Sequence, residues 1–338
     1  MNCVASINLP NQNNQPQYVQ NVLGTGFGIA ASTSANSINL FDYQTLSLVS
    51  EIGRHNGPIS DIKLKNNNLV SCGLDNLIKV WDLRTNTSSP VQEFMAPYPL
   101  LSFDITCDQQ HIIAGSEQYT RNNIPKFTFG DLTSNADSDV AIFFWDARVS
   151  NKQITMFPES HNNDITQIKC HPSKPRQFMS ASTDGLVCLY DYLNTMDEND
   201  AMVYSCNTNV SVQQAGYFGP NSEFLYSISD MNTLSLWYED STMISDLGSI
   251  CNEDQSKGTI IDYAISTAYD TNSSNLYLNA GDIEGNIYLY NVNVDGLHPI
   301  QSLTGGHTDI VRCINWDFAG HKAISGGEDG RICFWSAN

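Results

Sequence analysis

Residues 324–335 read ISGGEDGRICFW, and the short run ICFW at its end decides the fold of this chain. Consecutive apolar residues that end in an aromatic residue, usually followed by a polar one, are typical of a strand buried on both faces. Such runs occur seven times and end at Phe41, Trp81, Trp145, Tyr190, Trp237, Tyr290 and Trp335. The segments between them are short β-branched or aromatic runs broken by Gly, Asn, Asp and Ser. The sequence therefore predicts an all-β protein built of repeats.

The spacing of these runs resembles that of the WD-repeat β-propeller family, whose repeats are about 40–50 residues long. The resemblance implies a single seven-bladed propeller over residues 1–338. The third strand of the last blade ends near Trp335, so that blade lacks an outer strand at the end of the sequence. Residues 2–9, NCVASINL, read as a strand, and we expect them to complete blade seven and close the ring.

A histidine, a serine and an aspartate recur together; the aspartate follows the serine by four positions, and an aromatic residue follows the aspartate by six. The three sets are His55, Ser71, Asp75 and Trp81; His161, Ser180, Asp184 and Tyr190; and His307, Ser325, Asp329 and Trp335. A hydrolase triad would be needed only once. The WD-repeat resemblance instead implies buried hydrogen-bonded tetrads that stabilise the blades. Blades one, three, five and six break the pattern, and we expect packing alone to hold them.

The charge balance restricts the partners. The chain has 16 Lys and Arg against 36 Asp and Glu, a net charge of −20. This excess disfavours nucleic acid and anionic membranes and favours a basic protein, with solubility alone as the alternative. No segment reads as a signal peptide or membrane span. Nine cysteines without a CxxC pair predict reduced thiols and a location in the nucleus, the cytoplasm or both. No cofactor, metal or catalytic residue is expected.

Blade three carries an insert, residues 116–139, between its second and third strands. The propeller resemblance implies that this loop lies at the end carrying the tetrads, which we call the top end. A loop of this length binds a partner, packs on the propeller or is disordered. Its residues suited to binding are Tyr119, Arg121, Lys126, Phe127 and Phe129. Further top-end positions are Asp164, Thr166, Thr183, Asp230, Arg312 and Glu328, where acid exceeds base. We expect a basic protein segment to bind there, steered by carboxylates and anchored by aromatic residues.

Two features point to the opposite end. WDLR at 81–84 and WDAR at 145–148 resemble the box with which some WD-repeat proteins dock on the adaptor of a cullin-type ubiquitin ligase. The matching residues are Asp82, Arg84, Asp146 and Arg148; each arginine could equally pair with the aspartate of its own blade. The acidic set Asp197, Glu198 and Asp200 is expected to be a solvated loop or a second binding site.

The second half of the chain resembles the WD repeat-containing protein 89 subfamily. The resemblance rests on FFWDAR at 143–148, on residues 161–191 and 200–212, and on LTGGHTDIVRCINWDFAGHKAISGGEDGRICFW at 303–335. It implies a protein without catalysis and hints at nuclear ribosome assembly. We therefore expect a protein-binding scaffold, a monomeric propeller within a larger complex. The alternative is a substrate receptor of a cullin-type ligase.

Overall fold

The computed structural model describes residues 1–10, 16–85, 88–119, 140–149, 151–251 and 260–337. Within these residues the chain forms strands and one short helix, arranged as seven four-stranded antiparallel sheets. The seven-bladed β-propeller predicted from the sequence is confirmed.

The strands follow the blade order along the chain. The first strand, β1 (Asn2–Asn8), belongs to the last blade. Blade one contains β2 (Val19–Thr25), β3 (Gly28–Thr33), β4 (Ser37–Phe41) and β5 (Leu48–Arg54). Blade two contains β6 (Ile59–Lys65), β7 (Asn68–Gly73), β8 (Leu77–Asp82) and β9 (Gln92–Met95). Blade three contains β10 (Leu100–Ile105), β11 (His111–Ser116), β12 (Ile142–Asp146) and β13 (Gln153–Phe157). Ser116, assigned to the insert from the sequence, is the last residue of β11.

The second half of the ring repeats this arrangement. Blade four contains β14 (Ile165–Cys170), β15 (Gln177–Ser182), β16 (Leu186–Asp191), the helix α1 (Glu198–Ala201) and β17 (Met202–Asn207). Blade five contains β18 (Val212–Phe218), β19 (Phe224–Ser229), β20 (Thr233–Tyr238) and β21 (Met243–Ser249). Blade six contains β22 (Tyr263–Asp270), β23 (Asn275–Gly281), β24 (Ile287–Asn293) and β25 (Gly296–Leu303). Blade seven contains β26 (Val311–Asp317), β27 (Lys322–Gly327) and β28 (Arg331–Ser336), with β1 as its fourth strand.

The N-terminal strand closes the ring. β1 pairs antiparallel with β28, with Asn2 opposite Ser336 and Asn8 opposite Arg331. The next residue, Leu9, is buried, and its amide donates to the carbonyl of Gly330 at 2.8 Å. Because β1 takes the outer position of blade seven, the edge of β28 is paired rather than exposed.

The alternation of strand direction defines two ends. The first strand of each blade lines a central channel of about 640 Å³, to which each blade contributes polar or charged side chains: Asn21, Lys63, Asp104, Lys169, Gln214, Ser266 and Asn315. The turns between second and third strands and the connections between blades lie at the top end. The other turns lie at the bottom end.

The core lies between the blades. All six residues of β3 are buried, as are the five residues of β12, because the middle strands are covered on both faces by neighbouring sheets. The close approach of blades requires glycine at some positions. A Cβ on Gly53 would lie 2.1 Å from the ring of Trp81 in the next blade. This packing positions the aromatic members of the tetrads.

Candidate functional site

The structure brings the four tetrad residues of blade seven into one hydrogen-bonded chain. The indole Nε1–H of Trp335 donates to Ser325 Oγ at 2.8 Å. Ser325 Oγ lies 2.7 Å from His307 Nε2, and His307 Nδ1 lies 3.0 and 3.1 Å from the two oxygens of Asp329. An ionised carboxylate can only accept, so Nδ1–H donates to Asp329 and Nε2 accepts from the serine hydroxyl. The chain thus runs from indole to carboxylate.

Blades two and four contain the same arrangement. In blade two, Trp81 donates to Ser71 at 2.8 Å, and His55 lies 2.7 Å from Ser71 and 2.8 Å from Asp75. In blade four the corresponding His161 distances are 2.7 Å to Ser180 and 3.0 Å to Asp184. The hydroxyls of Ser180 and Tyr190 lie 3.4 Å apart, so a tyrosine makes the longest contact in these tetrads.

The tetrads have the bonding order of a hydrolase triad without its accessibility. Ser71, Ser180 and Ser325 have no exposed surface, and in two of the three blades an indole N–H already binds the serine oxygen. No substrate carbonyl can approach such an oxygen. The aspartates instead hold the loops, since each also accepts from the backbone amide of the residue after the histidine: Asn56, Asn162 or Thr308.

The carboxyl groups of the tetrads are held in their charged form. Burial acts to raise the pKa of Asp75, Asp184 and Asp329. The hydrogen bond and electrostatic attraction of the adjacent histidine, together with the backbone amides, outweigh it and lower the pKa of each carboxyl below its ordinary value. These networks therefore depend on ionised aspartates.

The expectation that packing alone holds the other blades is wrong for three of them. In blade five Trp237 donates to Ser227 at 3.0 Å. In blade six the buried Asp282 accepts from Tyr288 Oη at 3.0 Å and from the side-chain amide of Asn286 at 2.7 Å. In blade one the hydroxyls of Thr33 and Ser37 share a hydrogen bond of 2.9 Å. Other polar residue types thus replace parts of the tetrad.

Blade three is different. Trp145 pairs with Ile112 in the sheet. Ala114, two residues after Ile112 in β11, stands where the tetrads of the other blades have their serine. The equivalent step from Ala323, the partner of Trp335, leads to Ser325. Among the described residues, no acceptor reaches the buried Nε1–H of Trp145. Within the described part of blade three, the indole of Trp145 is therefore a buried unsatisfied donor.

The first residues of the blade-three insert are held against the top end. Gln118 donates its amide to Asp164 Oδ1 at 2.7 Å and its side-chain nitrogen to the carbonyl of Asn162 at 3.3 Å. The ring of Tyr119 stacks on Tyr98 at 6.1 Å. The other predicted binding residues of the loop, Arg121, Lys126, Phe127 and Phe129, lie outside the described residues. Asp164, predicted to contact a partner, thus has an internal role in holding the insert.

The remaining predicted top-end residues differ in availability. Thr166 lines the channel, and its hydroxyl lies 2.8 Å from the carbonyl of Val212 in the next blade. Arg312 forms an ion pair with Glu328. Thr183 is half-buried, whereas Asp230 is exposed. The structure therefore leaves Asp230 as the most accessible acid of the predicted set.

Sequence reasoning missed other exposed acids at the same end. Glu159, Glu284 and Asp309 are exposed in the turns and blade connections there. Three arginines of the described segments also lie at the top end, and each already binds within the propeller: Arg54 to Glu51, Arg312 to Glu328, and Arg331 to Asn8 and Gly306. The described segments place seven basic residues at the bottom end: Lys65, Arg84, Arg148, Lys152, Lys174, Arg176 and Lys322. Among the described residues, the unpaired charge of the top end is therefore negative.

The two W-D-x-R boxes form matching clamps at the bottom end. Arg84 donates to Asp82 at 2.9 and 2.7 Å, and Arg148 donates to Asp146 at 2.8 and 2.8 Å. These hydrogen bonds lower the pKa of Asp82 to about 2 and hold that of Asp146 well below its usual range. Both arginine side chains stay more than half exposed.

The acidic set of blade four is solvated only in part: Asp197 and Asp200 are exposed, whereas Glu198 is not. Asp197 caps α1 by accepting from the amides of Asn199 and Asp200. Glu198 is buried and accepts from the amides of Glu159 and Ser160 at 3.0 and 2.6 Å. Since Ser160 precedes the tetrad histidine of its blade, Glu198 supports that tetrad rather than facing solvent.

The channel contains a charged cluster that the sequence reading did not identify. Lys63 Nζ lies 3.1 Å from Asp104 and 3.7 Å from Asp61. Burial acts to lower the pKa of Lys63, but the two carboxylates outweigh it and raise that pKa. These residues come from the first strands of neighbouring blades, so the cluster joins blades two and three.

In the part of the chain with assigned positions, no group of three or more His, Cys, Asp or Glu side chains is arranged to hold a metal ion. No helix there is long and apolar enough to cross a bilayer. All nine cysteines are free thiols.

The chain is similar to known WD-repeat proteins in sequence and in fold. The family model of the WD domain, G-beta repeat, matches residues 46–82, 151–191 and 297–336, which include the third strands of the three blades with complete tetrads. The WD repeat-containing protein 89 homolog of Dictyostelium discoideum is 29% identical over 328 residues, covering 95% of this chain and 83% of that protein. The WD repeat-containing protein GTS1 of Arabidopsis thaliana is 26% identical and covers 92% of this chain and 78% of that protein. The WD40 β-propeller domain of Doa1 has a similar fold, with a TM-score of 0.70, 13% identity and coverage of 100% of this chain and 97% of that one.

Proposed function

Since the chain is a WD-repeat β-propeller, we propose that it works as a non-catalytic scaffold that binds a basic protein at its top end. Propellers of this kind generally bind other proteins and lack catalysis. The observation that carries the proposal is the charge distribution at the top end. Asp230, Glu284 and Asp309 are exposed there. The arginines nearby already bind within the propeller, so the free carboxylates attract positive charge.

The class of partner follows from this surface. Carboxylates on a rim mainly raise the association rate of an oppositely charged segment, while apolar contacts slow its dissociation. Tyr119, which stacks on Tyr98 at the same end of the propeller, is a suitable apolar contact. Nuclear ribosome assembly, which the resemblance to the WD repeat-containing protein 89 subfamily implies, involves strongly basic proteins. We propose that this single propeller works in such a complex in the nucleus, the cytoplasm or both; its free thiols suit these reducing compartments.

The test uses a partner identified by affinity purification and mass spectrometry. Association and dissociation rates are measured at several ionic strengths for the wild type and for the pair Asp230→Lys and Glu284→Lys. A matched control, Glu93→Lys with Asp295→Lys, adds the same charge at exposed positions away from the top end. We expect the top-end pair to slow association about tenfold at low salt, and the difference to shrink as salt screens the charges. Equal rates for the two charge variants would overturn the proposal.

One observation favours a second candidate function, docking on the adaptor of a cullin-type ubiquitin ligase. Arg84 and Arg148 lie on neighbouring blades, have the same clamp geometry and are both largely exposed. Substitution of both arginines by alanine should abolish capture of the purified adaptor while leaving the propeller folded. Unchanged capture, or no capture by the wild type, would exclude this function.

A further inference from the structure

A cavity of about 670 Å³ opens at the bottom end between blade seven and blade one, where the ring is closed. We call it the seam pocket. It exists because three small residues meet there, namely Ala5, Gly24 and Ala323. A Cβ on Gly24 would lie 2.8 Å from the hydroxyl of Tyr43. The interface between blades three and four is instead filled by aromatic rings of Phe144, Phe157, Phe178 and Tyr190.

Apolar side chains line much of the seam pocket. Ile324 and Phe334 line its blade-seven side. The pairing of β1 with β28 shifts between Cys3 and Ala5, so Val4 falls in a bulge and is 50% exposed. Tyr43, on the blade-one side, is 37% exposed. Two large side chains, Val4 and Tyr43, thus lie partly exposed on the lips of one cavity of the size that binding pockets have.

The polar atoms of the floor are used within the propeller. The hydroxyl of Tyr43 donates to the carbonyl of Thr25 at 3.1 Å, and the amide of Gly24 donates to Asn315 Oδ1 at 3.1 Å. The second of these bonds joins the two blades beneath the cavity. The floor therefore offers no strong polar anchor for a ligand.

Charged groups occur at the mouth instead. Asp317 and Lys322 face each other across the pairing of β26 with β27, and both are exposed. Neither forms an ion pair within the described part of the chain, in contrast to Arg312 and Glu328 at the top of the same blade. A carboxylate and an ammonium group thus stand beside an apolar cavity, each available to an opposite charge.

We propose that the seam pocket docks a short segment of a partner protein that presents one apolar side chain between a basic and an acidic residue. The apolar side chain enters the cavity between Val4 and Tyr43, the basic residue pairs with Asp317 and the acidic residue pairs with Lys322. The volume lies within the usual range of about 300–1,000 Å³ for binding pockets and accommodates a large side chain with part of its backbone. This site is at the opposite end from the proposed top-end surface and does not depend on it.

The probe is a displayed library of short random peptides selected on the wild-type protein. We expect enrichment of peptides with an apolar residue flanked by Lys or Arg and by Asp or Glu. Val4→Glu should weaken the selected peptides about tenfold, since it places a charge on the lip of the cavity. The matched control Ile300→Glu changes an apolar residue of similar exposure, 55%, on the outer strand of blade six and should leave binding unchanged.

Exchange of the two charges at the mouth of the seam pocket tests the proposed pairing most directly. The double variant Asp317→Lys with Lys322→Glu should prefer synthetic peptides in which the two flanking charges are exchanged, whereas the wild type prefers the selected order. Urea unfolding of each variant checks that it remains folded. Selected peptides without an apolar residue, equal binding to Val4→Glu and wild type, or no change of preference in the double variant would overturn the proposal.

Discussion

The same substitution, tryptophan to phenylalanine, should lower the unfolding free energy by different amounts in blades three and seven. Trp145 and Trp335 occupy equivalent positions at the ends of β12 and β28, and neither has any exposed surface. The indole of Trp335 donates to Ser325 at 2.8 Å. That of Trp145 has no acceptor among the described residues, because Ala114 stands at the serine position.

The expected difference in unfolding free energy between the two variants follows from these contacts. Both substitutions remove the same atoms from a buried site, so the two cavity costs should largely cancel in the comparison. Trp335→Phe loses a hydrogen bond with a net value of about 0.5–1.5 kcal/mol. Trp145→Phe removes an unsatisfied donor whose burial costs about 1–3 kcal/mol. We therefore expect Trp335→Phe to be more destabilising than Trp145→Phe by about 2 kcal/mol or more.

The assay is urea unfolding followed by far-ultraviolet circular dichroism, with equal denaturant slopes required for the comparison. Trp237→Phe is a third point, since Trp237 also donates to a serine, and it should behave like Trp335→Phe. Equal losses in unfolding free energy for Trp145→Phe and Trp335→Phe, or a larger loss in blade three, would refute the reasoning.

Three further predictions concern the tetrads and ring closure. Asp329→Ala should lower the unfolding free energy, measured in urea titrations, by about 1–3 kcal/mol without altering any chemistry. The control Glu284→Ala, at the equivalent but exposed position of blade six, should change the unfolding free energy by about 0.5 kcal/mol or less. The pKa of Asp329 is lowered in the folded protein, so the stability that its carboxylate contributes is complete above the unfolded pKa of about 3.9 and is lost as the pH falls through the folded pKa. The difference in unfolding free energy between wild type and Asp329→Asn should therefore shrink below about pH 4. A difference that stays constant with pH would contradict this. Deletion of residues 2–9 should lower the melting temperature clearly or cause aggregation by exposing the edge of β28, and an unchanged scanning-calorimetry midpoint would show that closure by β1 is dispensable.

The fold could be predicted from the sequence because every blade needs the same local pattern. A third strand buried on both faces must be apolar at consecutive positions, and this requirement left seven readable runs ending at residues such as Trp81 and Trp335. The complete tetrads were readable for the same reason, since the sheet register fixes the number of residues between serine, aspartate and aromatic ring.

Contacts between segments distant in sequence could not be predicted from the sequence. Glu198 looked like part of a solvated acidic run, yet it accepts from amides almost 40 residues earlier in the chain. Blade six replaces the tetrad with Asp282, two positions before the expected site, so a fixed spacing could not find it. The seam pocket depends on Ala5, Gly24 and Ala323. Small residues carry no sequence signal of a cavity until the fold brings them together.

The central claim is that the top end binds a basic protein segment, and protection of the complex from hydrogen exchange tests it most directly. Amides of the turns at residues 228–233, 282–286 and 308–312 should exchange more slowly when the purified partner is bound, and addition of salt should reduce this protection. Protection confined to the bottom-end segments 82–85 and 146–149, with the top-end turns unchanged, would contradict the claim and identify the W-D-x-R end as the binding surface.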